Sequence, residues 1–127
     1  MPARILIVED DQIIAADLRL KAQHLGHEVI GIASAGEEAI DMAAQTKPEV
    51  VLMDVQLETA MSGAEAARII QEGTGASIIF ITAFSRTLLR ESAPMPLPGI
   101  CLGKPFSSLQ LEAALESALS SRSQPHP

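Results

Sequence analysis

Short apolar runs alternate with helical patterns along the whole chain, and this alternation limits the folds open to it. Residues 4–8, RILIV, form a continuous apolar run rich in branched side chains, which is typical of a strand covered on both faces. Similar runs predict strands over 28–33, 49–53, 77–82 and 100–103. Because parallel neighbours need right-handed crossovers, this alternation predicts a parallel sheet with helices on both faces.

Helical patterns fill the connections between these strands. Four predicted helices cover 12–25, 36–46, 63–72 and 107–119. The fourth helical segment, 85–93, is expected to be short because three prolines follow it within 94–99. The sequence therefore predicts an α/β fold, a flavodoxin-like three-layer sandwich with a five-stranded parallel sheet in the order 2-1-3-4-5 and five helices.

Composition excludes several classes of function. The chain has 127 residues and a formal net charge of −7, and its nine Lys and Arg residues form no run, so direct binding to nucleic acid is not expected. The only cysteine, Cys101, excludes an internal disulfide and fits a reducing compartment. No stretch resembles a signal peptide or reaches the roughly 20 apolar residues of a membrane span. We expect a soluble cytoplasmic domain without membrane contact.

One domain is predicted over residues 1–120, and the last residues, 121–127, are predicted to form a flexible polar tail. Met1 lies only a few residues before the first predicted strand, so this domain is expected to begin the chain. No output module is expected within these residues.

Polar side chains follow the predicted strands at their carboxyl ends, where ligands bind in open parallel sheets. Asp11 directly precedes the first helix and is predicted to cap it. The strand order 2-1-3-4-5 would bring acids, a hydroxyl and a lysine into one pocket. The residues at these ends are Glu9, Asp10 and Asp11 after strand 1, Asp54 after strand 3, Thr82 at strand 4, and Lys104 and Pro105 after strand 5.

Magnesium suits such a cluster, because it takes oxygen ligands, keeps several waters and usually binds through one or two carboxylates and a phosphate. Asp10 and Asp54 are candidate ligands, Glu9 would hold a bound water, and Mn²⁺ would be a substitute for Mg²⁺. A carboxylate can also accept a phosphoryl group as an aspartyl-phosphate. Phosphoryl transfer asks the protein mainly for position and positive charge, which Lys104 and Thr82 would contribute.

Four segments, ILIVEDD, VVLMDVQL, IIFITAF and GKPF, occur in the order and at the separations found in receiver domains of two-component response regulators. The chain resembles that family from about residue 4 to residue 119. The resemblance implies that Asp54 is the phospho-acceptor and that Glu9 and Asp10 are the acidic pair. It also implies that the backbone carbonyl of Gln56 is the third protein ligand to magnesium.

The same resemblance implies roles for the residues at the ends of strands 4 and 5. The Thr82 hydroxyl would turn onto the phosphoryl group, Lys104 would pair with it, and the bond before Pro105 would be cis. Phosphoryl acceptance and hydrolysis would then depend on Asp54, Thr82 and Lys104. The domain would act as a signalling switch and not as an enzyme. The implied donor is a sensor histidine kinase or a histidine phosphotransfer protein. A downstream protein partner, or a second copy in a homodimer, would dock on the face formed by the family's fourth helix, fifth strand and fifth helix.

The chain departs from the family pattern at several positions. Cys101 stands where the family often has Tyr or Phe, and Glu58 where it often has proline. The stretch from Asp54 to Gly63 is about one residue longer than usual. With the prolines of 94–99, these departures predict an altered docking face.

Two other classes of function stay open. A pseudo-receiver that is never phosphorylated would act as an interaction scaffold, and an absence of Mg²⁺ affinity would indicate it. A phosphatase with an aspartate nucleophile usually has an acid two residues after that aspartate, where this chain has Gln56. A carrier of flavin mononucleotide is disfavoured, since no phosphate-binding loop follows strand 1.

Overall fold

Five parallel strands form one sheet in the order β2-β1-β3-β4-β5, as predicted. The computed structural model describes residues 3–55, 61–82, 100–103 and 106–123. For Thr82 and residues 121–123 it describes the backbone only. The strands are β1 (Arg4–Val8), β2 (Glu28–Ala33), β3 (Val50–Asp54), β4 (Ser77–Thr82) and β5 (Ile100–Gly103).

Helices cover both faces of this sheet. The described helices are α1 (Gln12–His24), α2 (Gly36–Thr46), α3 (Gly63–Thr74) and α4 (Ser108–Ser123). The last helix extends four residues beyond its predicted end at 119, so residues 121–123, which were predicted to belong to a flexible tail, are helical. The predicted short helix over 85–93 and the proline segment 94–99 lie outside the described residues. None of the described helices is long and apolar enough to cross a membrane.

The apolar side chains of the strands are divided between two cores. In β1, Ile5 and Ile7 pack with α1 and α4, whereas Leu6 and Val8 pack with α2 and α3. All four side chains are fully buried. Successive side chains of a strand point to opposite faces, so a strand between two helical layers needs apolar residues at every position.

The strand register sets which side chains meet at the carboxyl edge. Val8 of β1 pairs with Met53 of β3, so Glu9 stands level with Asp54. Asp54 in turn pairs with Ile81 of β4. The sequence predicted that this strand ends at residue 53, whereas Asp54 is the last residue of β3. Its backbone is therefore held within the sheet.

Helices α2 and α3 pack closely through small buried residues. A Cβ atom added to Gly36 would lie 3.2 Å from the Cβ and Cγ of Met61 and 3.3 Å from the Cβ of Ala66. Ala39, Ala43 and Ala67 are buried in the same core. Because these side chains are small, the start of α3 is held tightly against the start of α2.

Candidate functional site at the carboxyl ends of β1 and β3

Three carboxylates meet at the carboxyl edge of the sheet. One oxygen from each of Glu9, Asp10 and Asp54 lies within 4.8 Å of the others. Glu9 is 3% exposed and Asp54 is 6% exposed, whereas Asp10 is half-buried. The structure thus brings together the three residues that the sequence predicted as an acidic cluster, and it removes two of them almost entirely from solvent.

Backbone hydrogen bonds hold the two ends that carry these acids. The Glu9 N–H donates to the Ala33 carbonyl at 2.9 Å, which ties the end of β1 to β2. The Val55 N–H donates to the Ile81 carbonyl at 3.2 Å, which ties the residue after Asp54 to β4. The acids therefore project from hydrogen-bonded backbone, and this limits how far they can separate.

Asp11 has a different role from its neighbours. Its Oδ1 atom accepts hydrogen bonds from the amides of Ile13 at 2.9 Å and Ile14 at 3.2 Å. These contacts satisfy two of the amides that a helix start leaves without intrahelical partners. Asp11 is exposed and is the N-cap of α1, as the sequence predicted.

Replacing this cap should lower stability without touching the acidic cluster. We expect Asp11→Ala to reduce the free energy of unfolding by about 1 kcal/mol, because two amides lose their acceptor. Asp11→Asn keeps an oxygen at the cap and should cost only a few tenths of that. Urea unfolding of the three proteins measures the difference, and an equal loss in both variants would show that charge, not capping, is responsible.

The donor set of the cluster fits a hard divalent cation. Carboxylates this close repel one another by roughly 1 kcal/mol per pair in water and by several times more at a lower effective dielectric constant. A cation between them converts that repulsion into attraction. Oxygen donors in this number match the ligands that Mg²⁺ takes in proteins, and Glu9, Asp10 and Asp54 are the described residues that would hold it.

The other predicted site residues are only partly described. The backbone of Thr82 ends β4, next to β3, and pairs with Gly103 of β5. Gly103 directly precedes Lys104, so the lysine follows the carboxyl end of the neighbouring strand. Gln56, Lys104, Pro105 and the side chain of Thr82 lie outside the described residues, and their roles stay predictions.

Cys101 is half-buried in β5 and packs against the core that lies under α2 and α3. Its strand partner is Phe80, a fully buried residue. The position where the family often has an aromatic residue is thus occupied here by a small side chain beside an apolar core.

Sequence reasoning missed the part that Gly63 has in this site. A Cβ atom on Gly63 would lie closer than 3.0 Å to the carbonyl oxygen of Asp54. A glycine in the first turn of a predicted helix is a weak signal, because helix starts tolerate many residues. Only the folded chain shows that this position contacts the backbone of Asp54.

Comparisons with known proteins agree with this geometry. The model of the response regulator receiver domain family matches residues 5–116. The phyllosphere-induced regulator PhyR of Methylorubrum extorquens is 36% identical over 94% of this chain and 44% of its own length. The transcriptional regulatory protein PdtaR of Mycobacterium tuberculosis is 38% identical over 94% of this chain and 58% of its own length. The chain therefore spans about half the length of these curated relatives.

A solved structure superposes on nearly all of this chain. The signal receiver domain of a modulated diguanylate cyclase from Desulfovibrio desulfuricans superposes with a TM-score of 0.87 at 33% identity, over 96% of this chain and 97% of that one. The family match, the identity to two regulators and the strand order all agree. The chain belongs to the response regulator receiver domain family.

Proposed function

We propose that this receiver domain is a phosphorylation-controlled switch and that Asp54 accepts the phosphoryl group. The observation that carries the proposal is the meeting of the Glu9, Asp10 and Asp54 carboxylates within 4.8 Å, in a chain of the receiver family. The near-complete burial of Asp54 supports it, since burial at a strand end restricts the positions that a nucleophile can take.

The proposed step is a direct transfer. A carboxylate oxygen of Asp54 attacks the phosphorus atom of a phosphohistidine on a kinase or phosphotransfer protein. The P–O bond forms as the P–N bond breaks, and the electron pair leaves with the imidazole, which is released protonated or takes a proton from water. The product is an aspartyl-phosphate on this chain and an unphosphorylated histidine on the donor.

The remaining residues have proposed supporting roles. Asp10, Asp54 and the Gln56 carbonyl would hold Mg²⁺, or Mn²⁺ in its place, and Glu9 would bind one of its waters. The bound cation would neutralise charge on the transferring phosphoryl oxygens. Thr82 and Lys104 would contact the phosphoryl group once it is attached, and Pro105 would follow a cis bond. Water attack on the aspartyl-phosphate would reset the switch, so the domain is a signalling module and not an enzyme.

The proposed output is a change in protein contacts. An added phosphoryl group carries up to two negative charges and would shift a two-state equilibrium of the fold. In this proposal residues 1–120 act as the switch in the cytoplasm. The face around β5 and α4 would bind a downstream protein or a second copy, without nucleic acid or membrane.

A small phosphodonor tests this proposal directly. Incubation with acetyl phosphate and Mg²⁺ should add one phosphoryl group per chain, measured by intact-mass spectrometry. Addition of EDTA should prevent the gain, because the transferring charge then has no cation beside it. A chain that gains nothing from acetyl phosphate and shows no change in stability with Mg²⁺ would contradict the proposal.

One observation favours a second function. Cys101 stands beside the apolar core at the position of the usual aromatic residue, so the family's usual aromatic partner for the switch hydroxyl is missing at this position. A receiver without that coupling would serve as an interaction scaffold. The scaffold predicts no Mg²⁺ affinity, whereas the switch requires it.

A further inference from the structure

The first turn of α3 is pressed against the backbone of the proposed phospho-acceptor. A Cβ atom on Gly63 would lie within 3.0 Å of the Asp54 carbonyl oxygen, at 3.0 Å from the Val55 Cα and at 3.2 Å from the Asp54 carbonyl carbon. Cβ atoms essentially never approach other heavy atoms within 3.0 Å. All three neighbours are backbone atoms, so no side-chain rotation can relieve the contact.

The helix start is itself held in place. The Ser62 hydroxyl accepts a hydrogen bond from the Glu65 amide at 3.1 Å and caps α3. On α2, a Cβ atom at Gly36 would already lie 3.3 Å from the Cβ of Ala66. The cap orders the first turn of α3 and its packing on α2 limits how far it can move away, so a side chain at position 63 would press on the peptide between Asp54 and Val55.

We propose that Gly63 is a positioning residue for Asp54. Because Gly63 has no side chain, the start of α3 packs directly on the Asp54 backbone and sets the position of the Asp54 carboxylate relative to Glu9 and Asp10. The expected effect on phosphorylation rests on the proposed function, whereas the contact between Gly63 and the Asp54 backbone does not. Small displacements of a reacting group can lower a rate by up to about 100-fold, which is why a backbone contact at this point matters.

Gly63→Ala tests the inference, with Gly73→Ala as the matched control in the same helix. Nothing lies within 4 Å of a Cβ atom at the exposed Gly73, so that change should leave the site intact and stabilise α3. Two amides of the metal-free protein report whether the end of β3 or the start of α3 is displaced. The Val55 amide, bonded to the Ile81 carbonyl, reports on the strand end, and the Glu65 amide reports on the helix start.

We expect amide hydrogen exchange at Val55 to become at least about tenfold faster in Gly63→Ala and to stay unchanged in Gly73→Ala. At saturating Mg²⁺ and acetyl phosphate, the phosphorylation rate of the folded Gly63→Ala protein should fall by about 10- to 100-fold. A loss confined to stability would leave this saturated rate unchanged.

Three results would overturn the inference. Faster exchange at Glu65 with an unchanged Val55 would show that the helix, not Asp54, moves. A wild-type saturated rate in Gly63→Ala would show that the contact does not position the carboxylate. Failure of Gly63→Ala to fold even when combined with Gly73→Ala would show that the contact serves the whole fold. If the wild-type chain accepts no phosphoryl group, the proposed function fails, and the Val55 exchange still decides whether Gly63 positions Asp54.

Discussion

Magnesium should raise the free energy of unfolding of this protein, and Asp10→Asn should remove most of that gain. A ligand that binds only the folded state at 100 times its dissociation constant stabilises by about 2.7 kcal/mol. If the loss of the Asp10 charge weakens binding a hundredfold, the same Mg²⁺ concentration contributes only about 0.4 kcal/mol. Urea unfolding with Mg²⁺ and with EDTA measures both values.

Without metal, Asp10→Asn should be the more stable of the two proteins. Asp10 lies in a group of three carboxylates within 4.8 Å, so removing its charge relieves repulsion. We expect metal-free Asp10→Asn to be more stable than wild type by about 1 kcal/mol or more. Asp41→Asn, the same change at an exposed position of α2, should change neither the metal-free stability nor the gain from Mg²⁺. If Asp10→Asn destabilises the metal-free protein and leaves the Mg²⁺ effect intact, the acidic cluster is not a cation site.

Phe80→Ala should cost about 3–5 kcal/mol, a large share of the stability of a domain of this size. Phe80 is fully buried in β4 between Met53 of β3 and Cys101 of β5, in the core beneath α2 and α3. Its removal leaves a cavity that the surrounding strands can fill only in part. The urea midpoint at constant m-value measures the loss.

Phe106→Ala is the matched control. This ring is half-buried before α4, with the Lys21 Nζ atom 5.0 Å from its centre. Its removal should cost at most about 2 kcal/mol, from lost apolar contact and a cation–π interaction. Equal losses at Phe80 and Phe106 would contradict the full burial of Phe80 in the core.

Periodicity predicted the sheet well because each strand is apolar on both faces. A run such as that of Ile5 to Val8 needs two covering layers, and the alternation with helices leaves a parallel sheet as the simple solution. The acids at the strand ends were predictable for the same reason. Glu9 directly follows β1 and Asp54 ends the neighbouring β3, so the order of the strands alone brings them to one edge.

Contacts between distant segments were not predictable in this way. The His27 Nδ1 atom accepts a hydrogen bond from the Ala3 amide at 2.9 Å, across 24 positions of the chain. Gly63 meets the Asp54 carbonyl only because α3 is also packed against α2. Such contacts depend on how helices dock, which a local pattern does not encode.

In the proposed function Asp54 itself accepts the phosphoryl group. The decisive experiment is intact-mass spectrometry after incubation with acetyl phosphate and Mg²⁺, on wild type, Asp54→Asn and Asp11→Asn. We expect one added phosphoryl group on wild type and on Asp11→Asn, since Asp11 caps α1. We expect none on Asp54→Asn. An Asp54→Asn chain that gains the group as wild type does would show that another residue is the acceptor and would refute this assignment.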